Sequence, residues 1–231
     1  MRPIGFSTGV LYWSDLSLPE KLRLFKAAGA TAVELNMPEQ ELLSLEPSAE
    51  LIALLNSFQF VSLHAPDNLH GQSLQQFIAK MKKWCESVHF SAITIHPDAE
   101  TDFAFLEKTS LPIAVENMDT KKQIVTDAAF FSSLSKYRLA AVLDVQHCYE
   151  HDNTMELAKS LANAMAGRLS HLHVSGQSNG NNHAPLFSAE NSKAILAALK
   201  TLPQVPIILE GTLPDYPISD ALQKELACLK P

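Results

Sequence analysis

The sequence predicts an α/β fold, a single (β/α)8 TIM barrel over residues 1–231, in which every strand points its C-terminal end at one cavity. Three observations predict it. Short Val/Ile/Leu-rich runs alternate with longer segments of helical periodicity, the pattern of repeated βα units in a parallel sheet. Eight such units fit the chain at about 29 residues apiece, the small side of the usual barrel size. Six of the runs end in a side chain that binds metals: His64, His96, Glu116, Asp144, His173 and Glu210.

The strands are expected near Ile4 to Phe6, Ala32 to Leu35, Phe60 to His64, Ala92 to His96, Ile113 to Glu116, Ala140 to Asp144, Leu169 to Val174 and Ile207 to Glu210. Pro112 and Pro206 stand just before two of them, where a missing N–H is tolerated. Amphipathic periodicity places helices over Leu18 to Ala28, Glu39 to Asn56, Gln72 to Val88, Asn153 to Met165, Ser188 to Leu199 and Ile218 to Leu229. Phe103 to Lys108 and Asp127 to Leu134 carry weaker helical signals. Gly176 to Asn182 is polar and turn-rich and reads as a loop.

A net charge of −7 disfavours broad electrostatic capture of nucleic acid, although divalent cations at a site would reverse its local sign. Three widely spaced cysteines make neither a disulfide framework nor a CxxC zinc site. No run of about 18 apolar residues is present and no signal-like leader opens the chain, so a cytoplasmic protein with no membrane partner is expected. The sequence leaves the oligomeric state open.

Singly, a histidine at a strand end is more often a hydrogen-bonded core residue than a ligand. The set differs, because a barrel gathers strand ends some thirty residues apart, and imidazoles with carboxylates bind zinc or manganese. So many groups at one rim would be costly to pack without a cation, since the carboxylates repel one another and lose water. His147 and His183 lie just beyond strand ends and join the candidates. Trp13, beside Tyr12 after the first strand, is a candidate to stack on a base or sugar, against the alternative of a packed lid. Lys121, beside Lys122, is a candidate phosphate contact, against a solvated loop pair. His171 shares a strand face with His173, which leaves that register open by two residues.

At these motifs the chain resembles the xylose isomerase-like TIM barrel superfamily, and most closely its endonuclease IV branch, the AP endonuclease family 2. The resemblance is carried by Ser62-Leu63-His64-Ala65-Pro66, Thr94-Ile95-His96-Pro97, Ala114-Val115-Glu116-Asn117, Leu143-Asp144-Val145-Gln146-His147, Leu172-His173-Val174 and Ile208-Leu209-Glu210. It implies that His64, His96 and Glu116 hold one metal and that Glu116, Asp144, His173 and Glu210 hold a second, bridged by Glu116. A third would sit on His147, His183 and the residue two before it, which is Asn181 here in place of the family's Asp. The implied cofactor is two or three divalent ions, zinc first and manganese second. The implied activity is hydrolysis of a phosphodiester, in abasic-site DNA or a small molecule, with Glu116 and Glu210 as catalytic residues.

The alternative within the superfamily is a sugar isomerase or epimerase that uses one metal on the four later strands and passes a proton between Glu116 and Glu210. Such an enzyme has no need of His64 and His96 as ligands, and no Lys or Arg lies between Arg168 and Lys193 to serve one. A third reading, a barrel that binds a metal or ligand without turnover, is disfavoured by the completeness of the ligand set.

Overall fold

The computed structural model describes residues 2–67, 69–98, 100–122, 126–213 and 217–230. Seven consecutive strands, β1 (Ile4–Ser7), β2 (Ala32–Leu35), β3 (Phe60–His64), β4 (Ala92–Ile95), β5 (Ile113–Glu116), β6 (Ala140–Asp144) and β7 (Leu169–Val174), form most of the barrel wall. A small antiparallel hairpin of β8 (Gly176–Ser178) and β9 (Asn181–Ala184) follows. The last strand, β10 (Ile207–Leu209), then pairs in parallel with both β7 and β1 and closes the ring. The helices are α1 (Leu18–Ala28), α2 (Glu39–Ser44), α3 (Ala49–Asn56), α4 (Gly71–Cys85), α5 (Phe103–Lys108), α6 (Ala128–Ser133), α7 (Val145–His151), α8 (Glu156–Ala164), α9 (Ser192–Leu199) and α10 (Ile218–Ala227).

The expected barrel is present, with each strand within a residue of its expected bounds. The helices depart more. The segment 39–56 is two helices, because Pro47 lacks the N–H that a continuous helix needs and Ser48 caps a new one by accepting from Leu51 N at 3.1 Å. The helix expected from Ser188 starts at Ser192, since Asn191 spends its side chain on Gln177 N and Gln146. Besides short 3-10 turns, α7, which begins without any loop after β6, and the hairpin within the polar stretch 176–184 were not expected. α1 follows its local signals closely, with a Ser17/Glu20 capping box and Gly29 at φ 97° ending it.

Strand alternation sorts the barrel interior into layers. Ala32, Phe60, Ala92, Ala114, Val142 and Ile208 form a small apolar cluster of their own, and its alanines leave room for the Phe60 ring. Two residues further along the same strands come Glu34, Ser62, Thr94, Glu116, Asp144 and Glu210, so polar chemistry sits directly on an apolar floor. The outward-facing residues Val33, Leu63, Ile93, Val115 and Leu143 belong to a larger cluster with the helices, which contribute Phe25, Phe77, Trp84 and Phe131. A register shift between Ala141 and Val142 puts His171 opposite Val142 and His173 opposite Asp144, which fixes the height of both histidines.

Gly5 marks the tightest strand approach. A methyl there would land on the carbonyl group of Ala32 in β2, backbone that cannot move without breaking the ladder. Gly5→Ala is expected to destabilise the chain by on the order of 3 kcal/mol, the upper end for overpacking, read as a lowered midpoint in urea unfolding.

Glu225 on α10 ties the helical layer to the turn after the hairpin by accepting from Leu186 N at 2.8 Å and Phe187 N at 3.3 Å. Burial pushes its carboxyl up to about 7, against those two N–H groups, from an ordinary 4.5. A raised folded-state value means the stabilising contribution is full below pH 4.5 and is lost as pH rises through about 7. Glu225→Gln keeps an acceptor without the charge. Its melting temperature is therefore expected to gain on the parent's as pH climbs through that window and to hold a constant lead above it, at roughly 2–4 °C per kcal/mol. Thermal melts across pH check this; parallel curves would contradict it.

Candidate metal centre

The polar layer opens upward into a cavity of about 850 Å³ lined by His64, His96, Glu116, His147, His183 and Glu210 among others. At its base Glu116 divides its two oxygens. His64 Nε2 and His96 Nε2 stand 3.3 and 3.2 Å from Oε2, while His173 Nδ1 is 2.9 Å from Oε1 and 3.4 Å from Glu210 Oε1. Donor atoms of Glu116, Asp144, His173 and Glu210 all lie within 4.8 Å of one another, as do those of His64, Glu116 and His173. The strand ends thus bring together both expected ligand groups, with His96 joining through Glu116 Oε2.

Asp144 is held by its neighbours on both sides. Its backbone N–H donates to Asn117 Oδ1 at 2.7 Å and its carbonyl accepts from Asn117 Nδ2 at 3.0 Å, so β5 clasps β6 at the height of the site. Its Oδ1 caps α7 by accepting from His147 N at 2.7 Å, which turns the strand straight into the helix. That cap places His147 one turn on, with Nδ1 donating to Asn117 O at 2.8 Å and Nε2 left 3.8 Å from Asp144 Oδ2.

Electrostatics favours cations here. Burial would raise the Glu116 carboxyl, but His173, His64 and His96 outweigh it and hold the group well below the usual carboxylate range. Burial, joined by Glu116, Asp144 and Glu34, drives Glu210 well above that range. Burial lowers His173, yet Glu210, Glu34 and Glu116 overcome it and raise that imidazole well above its ordinary value. Both shifts run toward the protonated form, the direction that a surplus of carboxylate favours. Glu116 Oε2 and Asp144 Oδ2 are buried and accept no directed hydrogen bond. Orphaned anionic oxygens beside imidazole nitrogens fit divalent cations, with the imidazole and carboxylate set suited to zinc or manganese.

The third expected group is only partly assembled. His183, at φ 60°, faces His147 with ring centroids 5.8 Å apart, and its Nδ1 is 3.3 Å from Ser175 Oγ. Asn181 is exposed in the hairpin opposite Ser178, and Asn182 lines the cavity instead. Alternation along β9 explains this, since neighbouring residues face opposite ways.

Two substrate candidates also move by one position. Trp13 folds under, its indole N–H donating to Leu213 O at 2.7 Å, while Tyr12, 72% exposed, lines the cavity mouth. Lys121 borders a separate depression beside Tyr149 and Glu150, and Lys122 reaches the metal cavity, held by Asp67 at 3.0 Å. Asp67 also holds His96 Nδ1 at 2.5 Å, and with Glu116 it carries that imidazole up to about 10 against the lowering effect of burial.

Sequence reasoning gave no role to Glu34, Asp67 or Asn117, the last although it stands in the quoted Ala114-Val115-Glu116-Asn117 motif. Glu34 had a readable signal: Ala32-Val33-Glu34 repeats the Ala114-Val115-Glu116 triplet of a strand already singled out.

No family model matches the chain, and no curated protein matches it in sequence. Solved structures do. Endonuclease IV from Thermus thermophilus superposes with a TM-score of 0.71 at 16% identity, covering 98% of each chain. A 3-keto-D-glucoside 4-epimerase from E. coli gives 0.71 at 14%, covering 99% of each. A probable 3-DHS dehydratase from Bacillus anthracis gives 0.72 at 14%, covering 99% of this chain and 98% of that one. At such identities the likeness is one of fold, and the fold shared is a closed barrel of eight parallel strands ringed by helices.

Proposed function

We propose that the chain is a divalent-metal hydrolase of the endonuclease IV type that acts on a phosphodiester. The observation that carries this reading is the split carboxylate of Glu116, one oxygen toward His64 and His96 and the other toward His173, the arrangement suited to a bridge between two cations. A one-metal enzyme on the later strands has no use for the first two histidines. Bound zinc or manganese would supply Lewis acidity to the phosphoryl oxygens and a water nucleophile at neutral pH.

This chain's own residues would do the rest. His64, His96 and Glu116 would hold one cation, and Glu116, Asp144, His173 and Glu210 the other. His147 on α7 and His183 on the hairpin, facing each other, stand where a third ion or the leaving oxygen would be met. Tyr12 offers a ring at the mouth, and Asn36 and Asn182 offer amides to the substrate's polar atoms. Among the described lining residues Lys122 is the one lysine or arginine, already paired with Asp67, while Glu39 and Asp119 add negative charge. With the net charge of −7, that lining favours a small phosphodiester over the backbone of duplex DNA.

The second reading is a sugar isomerase or epimerase with Glu116 and Glu210 as the acid/base pair. What favours it is the tight group those two make with Asp144 and His173, together with the fold likeness to the epimerase.

Elemental analysis is expected to find at least two zinc or manganese ions per chain, and Glu116→Gln to lose at least one of them. Cleavage of a chromogenic aryl phosphodiester should fall in that variant by at least about 10³-fold, equivalent to roughly 4 kcal/mol. A panel of abasic-site duplex and ketoses completes the test. One ion per chain, with sugar interconversion and untouched diesters, would overturn the hydrolase in favour of the isomerase, and no ion under any loading condition would leave the non-catalytic barrel.

A further inference from the structure

Below the metal centre the barrel holds a second polar group that the hydrolase reading does not use. Glu34, His171 and His173 are all completely buried, and Glu34 stands on β2, a strand that carries none of the expected ligands. His173 Nε2 lies 3.1 Å from Glu34 Oε1 and 3.2 Å from Oε2, seated between the two oxygens. His171 Nε2 is 3.4 Å from Glu34 Oε2, and Thr94 Oγ1 donates to that same oxygen at 3.1 Å. Phe60 packs on the His171 ring from the apolar floor, with centroids 5.1 Å apart. No described lysine or arginine neutralises this carboxylate, so ring N–H groups must do so.

The other ring nitrogen of His173, Nδ1, is the one that faces Glu116 and Glu210. An imidazole that gives Nδ1 to a cation keeps its proton on Nε2, and that proton needs an acceptor; within reach are the two Glu34 oxygens and His171 Nε2 at 3.0 Å, of which the carboxylate is the stronger. We infer that Glu34 is the positioning residue of the metal centre. Its carboxylate accepts the Nε2–H of His173, fixes the tautomer that leaves Nδ1 bare toward Glu116 and Glu210, and holds the ring at that height. Thr94 orients the carboxylate in turn by donating to Oε2. Only the cation on the four later strands depends on this arrangement, because His64 and His96 reach Glu116 without touching Glu34. The assignment rests on the metal-centre half of the proposed function and is independent of which substrate is turned over.

The test is metal titration of the full chain with zinc, following stoichiometry and affinity rather than turnover, in the parent and in Glu34→Gln. The variant keeps the volume but replaces one acceptor oxygen by an N–H₂ group that opposes the Nε2–H. One zinc per chain is expected to weaken by roughly 10–100-fold, the usual effect of losing such a partner, while a second stays at parental affinity. Nitrogen-15 NMR of the parent's histidine rings gives a second measurement that does not depend on the variant folding. With zinc bound, His173 should show a metal-shifted Nδ1 and a protonated, strongly hydrogen-bonded Nε2. Zinc on Nε2, unchanged affinities in a folded Glu34→Gln, or equal weakening of every site would each overturn the assignment, as would a parent that binds no zinc. Bound zinc with the expected tautomer but no diester cleavage would sink the hydrolase and leave Glu34 in its role.

Discussion

Four carboxylates, those of Glu34, Glu116, Asp144 and Glu210, are confined inside one barrel, and among the described residues no lysine or arginine is an ion-pair partner of any of them. Two like charges a few ångströms apart in a poorly hydrated interior repel by several kcal/mol, so the group is tolerable only with positive charge among its members. The histidines provide sites for that charge, either as protons or as ligands to cations. Much of the surrounding structure serves this constraint: the Asn117 clasp on Asp144, the Glu34 pairing under His173 and the Asp67 pairing on His96 all fix donors before any ion arrives. Preorganisation of this kind is what allows a site to be selective as well as tight.

The barrel itself was legible because its strands state their period twice, once in apolar outward residues and once in chemistry at the ends. Each of the eight strands lies within a residue of where the pattern placed it. The ligand groups were legible for the same reason, since closure of a parallel barrel forces strand ends together whatever the loops do. His173 was preferred to His171 because it ends the apolar run, and the register of β7 sets it opposite Asp144; the shift at Val142 that fixes this height is not announced by any single-sequence pattern.

What stayed hidden was set by contacts distant in sequence or by single steps of alternation. The break at Pro47 and the late start of α9 are local events, and the latter depends on Asn191 being used by Gln177, fourteen residues away. Trp13 and Lys121 were each one residue from the side chain that faces the cavity, because a loop's direction is decided by packing rather than by composition. Glu34 was overlooked because β2 ends in leucine instead of a ligand, although its Ala-Val-Glu triplet matched that of β5.

Asp144 closes a strand, caps a helix and joins the cluster of Glu116, His173 and Glu210, all with one short side chain. A longer acid could not curl back to the N–H of His147, and an amide would surrender the charge, so the position admits no substitute that serves all three tasks. The sixth βα unit consequently has no loop to lengthen or recolour. Any diversification of this scaffold toward new substrates must be written in the segments after the other strands that line the cavity, β1, β2, β3, β5, β7 and β10, and the sixth unit acts as the fixed datum against which those changes are measured.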